Sequence, residues 1–327
     1  MDEVKEVQGK KTVRAVLIGI PQAGKQEVFN NLVRFGSEGA ETVPEGRARR
    51  FAVCHFHGRE IRLLDLPDSF GLSGQYRNEQ SVRDTLLNEK PDAAVCVAGG
   101  DQMKQGLYLA VQAEEMGVPV LMVLHRRKQD GKVRVDTGRL HWRLGHLVIQ
   151  EEAGGQESAD SLFSLLCHTA DHGEVRRKVI DYGSDIEPMI LALEERMRAV
   201  PHRYGPLRWL AVRLLENEQD IKADLKRDPA MAPVLKQAAV FRRDWNGLQD
   251  LSLTLPKRRQ EQAVKLWEDT VEPDQTEAGR KKSRKKSSSK VLWLFLVLVL
   301  LVFLIHQIWG ALGYRSFFDA LIPFLRG

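Results

Sequence analysis

The chain has 327 residues, 43% of them hydrophobic and 28% charged, with a formal net charge of +5. That length holds two domains and more, and the balance is that of an ordinary globular protein. Seven of the basic residues sit in one run at 280–290 (RKKSRKKSSSK), and the rest is close to neutral, which argues against a fold-wide basic surface and a nucleic-acid partner.

Cys54, Cys96 and Cys167 are few and widely spaced. They fit a reducing compartment and form neither a disulfide framework nor a zinc pattern. Residues 1–12 are charged and polar, unlike a secretory signal peptide.

Residues 13–20 are a β-branched apolar run of strand type, and 26–34 read as a helix. Between them lies GIPQAGKQ, Gly19 to Gln26. The spacing G-x-x-x-x-G-K is that of a Walker A loop, whose backbone N–H groups wrap nucleotide phosphates and whose lysine reaches the outer ones. Gly19, Gln22, Ala23, Gly24 and Lys25 are the expected cradle. The plainer alternative is a surface lysine after a tight turn. A Ser or Thr hydroxyl should follow, to ligate magnesium. Here the residue is Gln26.

Residues 51–56 and 60–66 read as two strands joined by a turn at 57–59. Asp65 closes the second, placed to supply another carboxylate to magnesium. In the usual D-x-x-G, the glycine offers its N–H to the γ-phosphate. Here IRLLDLPD puts Asp68 at that position, and its charge repels a phosphate. His55 and His57 alternate on a strand and share a face. Together with His125 they suggest a metal site but lack a clear third ligand, so surface histidines are the plainer reading.

A buried strand follows at 93–98, a helix at 107–116 and another buried strand at 118–124. The guanine-reading N-K-x-D should come next. Its Asn position is His125 and its Asp position is Lys128. Lysine has no acceptor for the guanine N1–H and amino group. Asp130 lies two residues late. Residues 140–144 look helical, 147–150 form a short strand and 158–167 a helix. Strands alternating with helices predict an α/β domain over 12–170, a P-loop GTPase-like and mostly parallel sheet with helices on both faces.

From about residue 171 the strand signals stop. Ile186, Met189, Ile190, Leu193 and Met197 fall on one helical face, as do Leu207, Leu210, Ala211, Leu214 and Leu215. A small helical domain is expected over 171–270, then a flexible basic linker over 271–290. Residues 291–313 predict one transmembrane helix. About 24 uncharged residues at 1.5 Å each give roughly 36 Å, enough to cross a ~30 Å hydrocarbon core with tilt. Trp293 and Trp309 sit near its ends. The preceding basic run sets residues 1–290 in the cytoplasm and a short tail, 314–327, outside. Arg280, Lys281, Lys282, Arg284, Lys285, Lys286 and Lys290 are expected on anionic lipid headgroups. No internal repeat is evident.

GIPQAGKQEVFNNL resembles the G-N-P-N-x-G-K-[ST]-x-x-F-N-x-L loop of FeoB, the bacterial ferrous-iron transporter family. LLDLPDSFGLS is similar to its V-D-L-P-G-x-Y-S-L. PDAAVCVAGGDQMKQGLYLAVQAEEMGVPVLMVLH carries its L-Y-L-x-x-Q-x-x-E-x-G-x-P signature, and PLRWLAVRLLENE resembles its helical segment. The likeness covers residues 12–225 and, more loosely, the linker and first membrane helix. It implies a cytosolic G domain binding guanine nucleotide with magnesium, a helical domain with a GDI-like role, and a polytopic pore. The family's switch threonine falls on Gly46, with Thr42 nearby, and its last alanine-bearing loop on Glu152-Ala153. One helix cannot enclose an ion path. The expected protein is therefore a single-pass pseudo-GTPase of the bacterial cytoplasmic membrane, regulatory or scaffolding. Its partner is expected to be a membrane transporter or a second copy. Guanine nucleotide binding is expected to be weak and magnesium doubtful. A slow or altered-specificity GTPase or ATPase is the alternative.

Overall fold

The structure is a computed structural model and describes residues 11–36, 41–44, 50–74, 76–99, 102–126, 134–145, 147–152, 154–173, 180–200 and 205–272. Strands β1 (Thr12–Gly19), β2 (Glu41–Pro44), β3 (Arg50–Phe56), β4 (Arg59–Asp65), β5 (Ala93–Gly99), β6 (Val120–Arg126) and β8 (Val148–Glu152) form one sheet, in the order β2-β3-β4-β1-β5-β6-β8. The short β7 (Arg134–Val135) lies outside it. From β4 to β8 every pairing is parallel, whereas β2–β3 and β3–β4 are antiparallel.

The sequence reading of 13–20, 51–56 and 93–98 as strands agrees with β1, β3 and β5. All seven residues of β5 are buried. Side chains alternate between the two faces of a strand, so helices cover both sides of the sheet at its centre. Helices α1 (Lys25–Phe35) and α5 (Gln156–His172) pack on each other and on the sheet. Helix α3 (Met103–Glu115) packs on β5 and β6.

Several elements differ from expectation. Helix α2 (Arg77–Glu89) is not among the expected ones, β6 runs on to Arg126, and the helices expected at 140–144 and 158–167 start earlier, at Thr137 and Gln156. Strand β2 is additional, and Thr42 lies in it; Gly46 falls outside the described residues. Helix α3 starts at Met103 rather than 107, running through Gly106. A Cβ on Gly106 would stand 2.2 Å from the Ala98 Cβ, so close packing on β5 requires glycine there. His57 is not on a strand: β3 ends at Phe56, and His57 takes φ 47 in the turn. It therefore does not alternate with His55 on one face. Among the described residues no group of three or more His, Cys, Asp or Glu is gathered to hold a metal ion.

Helix α2 (Arg77–Glu89) precedes β5, and α4 (Thr137–Leu144) precedes β8. The helical region holds α6 (Glu187–Arg198), α7 (Leu207–Leu215), α8 (Gln219–Leu225), α9 (Ala232–Asp244) and α10 (Leu251–Thr270). The faces expected for α6 and α7 are buried at Ile190, Leu193, Met197, Leu210, Ala211, Leu214 and Leu215. Helix α10 buries Leu251, Leu255, Arg259 and Ala263, one residue per turn, and lies along α3 and α4. Among the described residues no helix is long and apolar enough to cross a membrane. Residues 291–313, the tail and the basic run 280–290 lie outside them.

Candidate phosphate-binding site

The loop 19–26 joins β1 to α1 as the motif predicts. Gly24 is the N-cap of α1 with φ +91, the left-handed region. A Cβ there would be 2.0 Å from Cδ2 of His125, so both conformation and space demand glycine. Lys25 opens the helix and is 7% exposed, while Gln22 and Gln26 face solvent. Ala23 and Gly24 are buried. The Ser69 amide donates to the Gly19 carbonyl at 3.0 Å, which ties the loop to the segment after β4.

The lysine is already committed. Its Nζ donates to Asp65 Oδ1 and to the Leu66 carbonyl at 2.7 Å, and stands 3.2 Å from Asp68 Oδ1. An ammonium has three N–H donors; here they face three acceptors of this chain. Asp65 ends β4, in parallel register with Leu17, and is 5% exposed. Its other oxygen, Oδ2, accepts from Arg50 Nε at 2.9 Å and Nη2 at 2.5 Å. Arg50 is held in turn by the Asn30 Oδ1 at 3.2 Å and lies 4.5 Å over the Phe29 ring. Both oxygens of Asp65 thus face cations, and Gln26 offers no hydroxyl. The magnesium ion that the resemblance implies does not fit this donor set.

At the guanine-reading position, His125 near the end of β6 is 2% exposed and packs on Gly24, with Nδ1 buried and without a hydrogen-bond partner among the described residues. Lys128, Asp130 and Ala153 lie outside the described residues. His125 pairs in register with Glu151 on β8. Glu151 Oε1 accepts from Ser158 Oγ at 2.6 Å and Asn31 Nδ2 at 3.3 Å, and the Gly155 amide donates to Asn31 Oδ1 at 3.1 Å. Helix α1, the β8 loop and α5 are thereby joined by side chains.

The segment after β4 is pinned by the chain's own groups. Asn78 Nδ2 donates to the Asp68 carbonyl at 3.3 Å, Ser73 Oγ to Glu79 at 2.6 Å and Gln80 to the Gly74 carbonyl at 2.8 Å. The Leu72 amide donates to Gln112 Oε1 at 3.0 Å. Gln112 and Glu115 are the Q and E of the L-Y-L-x-x-Q-x-x-E signature. Glu115, 7% exposed, accepts from Tyr182 Oη at 2.6 Å and Arg259 Nε at 3.0 Å. Arg259 also reaches Glu216 at 2.9 Å. The signature thus fastens the loop on one side and the helical region on the other.

Arg50, Gln112 and the Arg83 contact with α8 described below escape sequence reading, because their partners lie far along the chain. Burial pushes the Cys54 thiol up to about 11, and all three cysteines are free and buried. They are not poised nucleophiles.

A mostly parallel sheet, a Walker A loop at the β1–α1 turn and an acidic residue ending β4 define a P-loop GTPase-like α/β domain carrying a helical domain. The family profiles agree: residues 13–166 match FeoB_N, ferrous iron transport protein B, and 182–272 match the FeoB cytosolic helical domain. The chain belongs to the FeoB family. It is 30% identical over 230 residues to the Fe(2+) transport protein A/Fe(2+) transporter FeoB fusion protein of Porphyromonas gingivalis, covering 66% of this chain and 26% of that one. It is 24% identical over 185 residues to the Fe(2+) transporter FeoB of Leptospira biflexa, covering 56% and 27%. The chain spans about a quarter of the length of these curated relatives. Its fold matches the cytosolic domain of T. maritima FeoB in a GDP form, with TM-score 0.63 and 22% identity over 80% of this chain and 100% of that one. The cytosolic domain of L. pneumophila FeoB gives TM-score 0.64 at 19% identity, with the same coverage.

Proposed function

We propose that this chain is a membrane-anchored FeoB-like pseudo-GTPase with a regulatory or scaffolding role at the bacterial cytoplasmic membrane. The observation that carries the reading is the closure of Lys25 by Asp65, Asp68 and the Leu66 carbonyl. A phosphate must displace these groups and meet the Asp68 carboxylate as well. The segment after β4, which a γ-phosphate orders in a switching GTPase, is held here by Asn78, Gln112 and Glu79 instead. The G-domain surface is thus presented without a nucleotide. Its partner is a membrane transporter or a second copy of the chain, in keeping with the family's link to ferrous iron. Residues 291–313 supply the anchor, with the basic run at 280–290 on anionic headgroups.

Guanine nucleotide, where it binds, rests on Gly19, Gln22, Ala23, Gly24 and Lys25, weakly and with little dependence on magnesium. A slow GTPase or ATPase is the second reading, favoured by Lys25 at the start of α1 standing against Asp65 at the end of β4. Titration of GTP, GDP and ATP by calorimetry, with and without magnesium, tests the first reading. Tight, magnesium-dependent, guanine-specific binding overturns it, and multiple turnover in a hydrolysis assay establishes the second.

A further inference from the structure

Helix α2 meets the helical region through a compact set of charges. Arg83, 4% exposed, donates from Nη2 to Asp220 Oδ2 at 2.6 Å and lies 3.5 Å from Glu218 Oε2 through Nη1. Glu218 is the N-cap residue of α8, and its other oxygen accepts from Arg213 of α7 at 2.8 Å. Glu216, the residue closing α7, contacts the same Arg213 nitrogen at 2.7 Å. The charged groups around Glu218 are therefore Arg213 and Glu216 from α7, Arg83 and Asp84 from α2, and Asp220 and Lys222 on its own helix. One layer further lie Arg259 of α10 and Glu115 of α3. A recess of about 460 Å3 opens beside them, lined by Gln80, Arg83, Leu87, Trp209, Asp220 and Ile221 among others. It opens the Arg83 and Asp220 end of the cluster to water.

We propose that Glu218 is a proton-operated latch between α2 and the helical region. Ionised, it draws Arg83 onto the start of α8; protonated, it leaves Asp220 as the partner of that guanidinium on α8, beside Asp84 of its own helix. Burial is the main reason this proton is held, with the charge of Glu216 adding to it and Arg213 and Arg83 opposing it. Together they raise the carboxyl from 4.5 to about 7. The folded chain thus binds the proton more tightly than the unfolded one. The stability this contributes is complete below about 4.5 and is lost as pH rises through about 7. Over the same interval the Arg83 contact gains a full charge. Helix α2 carries Asn78, which holds the Asp68 carbonyl, and Gln80, which holds Gly74. The latch therefore bears on the segment that closes over Lys25. It does not depend on nucleotide binding.

The test uses the full-length chain in mild detergent. Hydrogen exchange of peptides covering Arg77–Glu89 is followed from about pH 5.5 to 8.5, corrected with the unfolded chain, alongside the melting temperature. In the wild type, protection of α2 should rise about tenfold across pH 7, the worth of one charge-assisted hydrogen bond. The melting temperature should fall over that interval. Glu218→Gln should remove both steps, and Asp220→Asn should enlarge the α2 step, because Glu218 is then the carboxylate that holds Arg83 to α8. A wild type without the step overturns the proposal. So does a Glu218→Gln variant that keeps it, or, where that variant does not fold, an Asp220→Asn step no larger than the wild type's.

Discussion

At the residue scale the decisive group is the Lys25 ammonium. Asp68, 3.2 Å away and with its side chain 45% exposed, is the one of its three acceptors that is a substitution within the D-x-x-G pattern. Asp68→Gly should free one donor direction and remove the repulsion, raising guanine-nucleotide affinity roughly tenfold by calorimetry. Unchanged affinity in a folded variant would mean that Asp65 and Leu66 alone keep the lysine. Gly24 makes a second prediction. Gly24→Ala forces an L residue into φ +91 and onto His125, and should cost about 2–4 kcal/mol in thermal melts. Gly24→Ala with His125→Ala should recover the steric part and leave the backbone strain. A double variant as unstable as the single one would show that the imidazole is not what crowds the loop.

At the scale of elements, Gln112 links α3 to the segment after β4. Gln112→Ala orphans the buried Leu72 amide, which should cost about 1–3 kcal/mol. Hydrogen exchange should quicken across 66–76 while β5 stays protected. Equal protection there would assign the order of that segment to Asn78 and Glu79 instead. This contact also marks a limit of pattern reading. The helical spacing of 107–116 predicts a helix, but not that Gln112 within it serves a loop 40 residues earlier.

For the whole molecule, the joint between the α/β domain and the helical region is polar and buried. Glu115→Ala leaves Arg259 and Tyr182 without their shared acceptor, and should cost about 3–5 kcal/mol. Limited proteolysis should then separate the two regions. A variant as stable as the wild type would make the joint's stability a matter of apolar packing between α3 and α10. Beyond the described residues, truncation before Arg280 should release a soluble protein, and a reporter fused at Gly327 should work only outside the cytoplasm. A truncated chain that still pellets with membranes contradicts the anchor.

Much of this protein is legible in one dimension. Period-2 and period-3.6 patterns are local, so β1, β3, β5, α6 and α7 follow from the run of side chains alone. The Walker spacing also locates the β1–α1 loop, because its backbone path is set by neighbouring residues. The losses at Gln26, Asp68 and His125 can likewise be read by position. The tertiary structure decided what those losses do. Lys25 could have been left free by them, and instead it is closed by residues 40 to 43 positions later. His125 could have been a surface ligand, and instead it fills the space beside Gly24. Ion pairs and steric fits depend on which distant residues a parallel sheet brings to one edge. That is a property of topology and register, which no local period encodes.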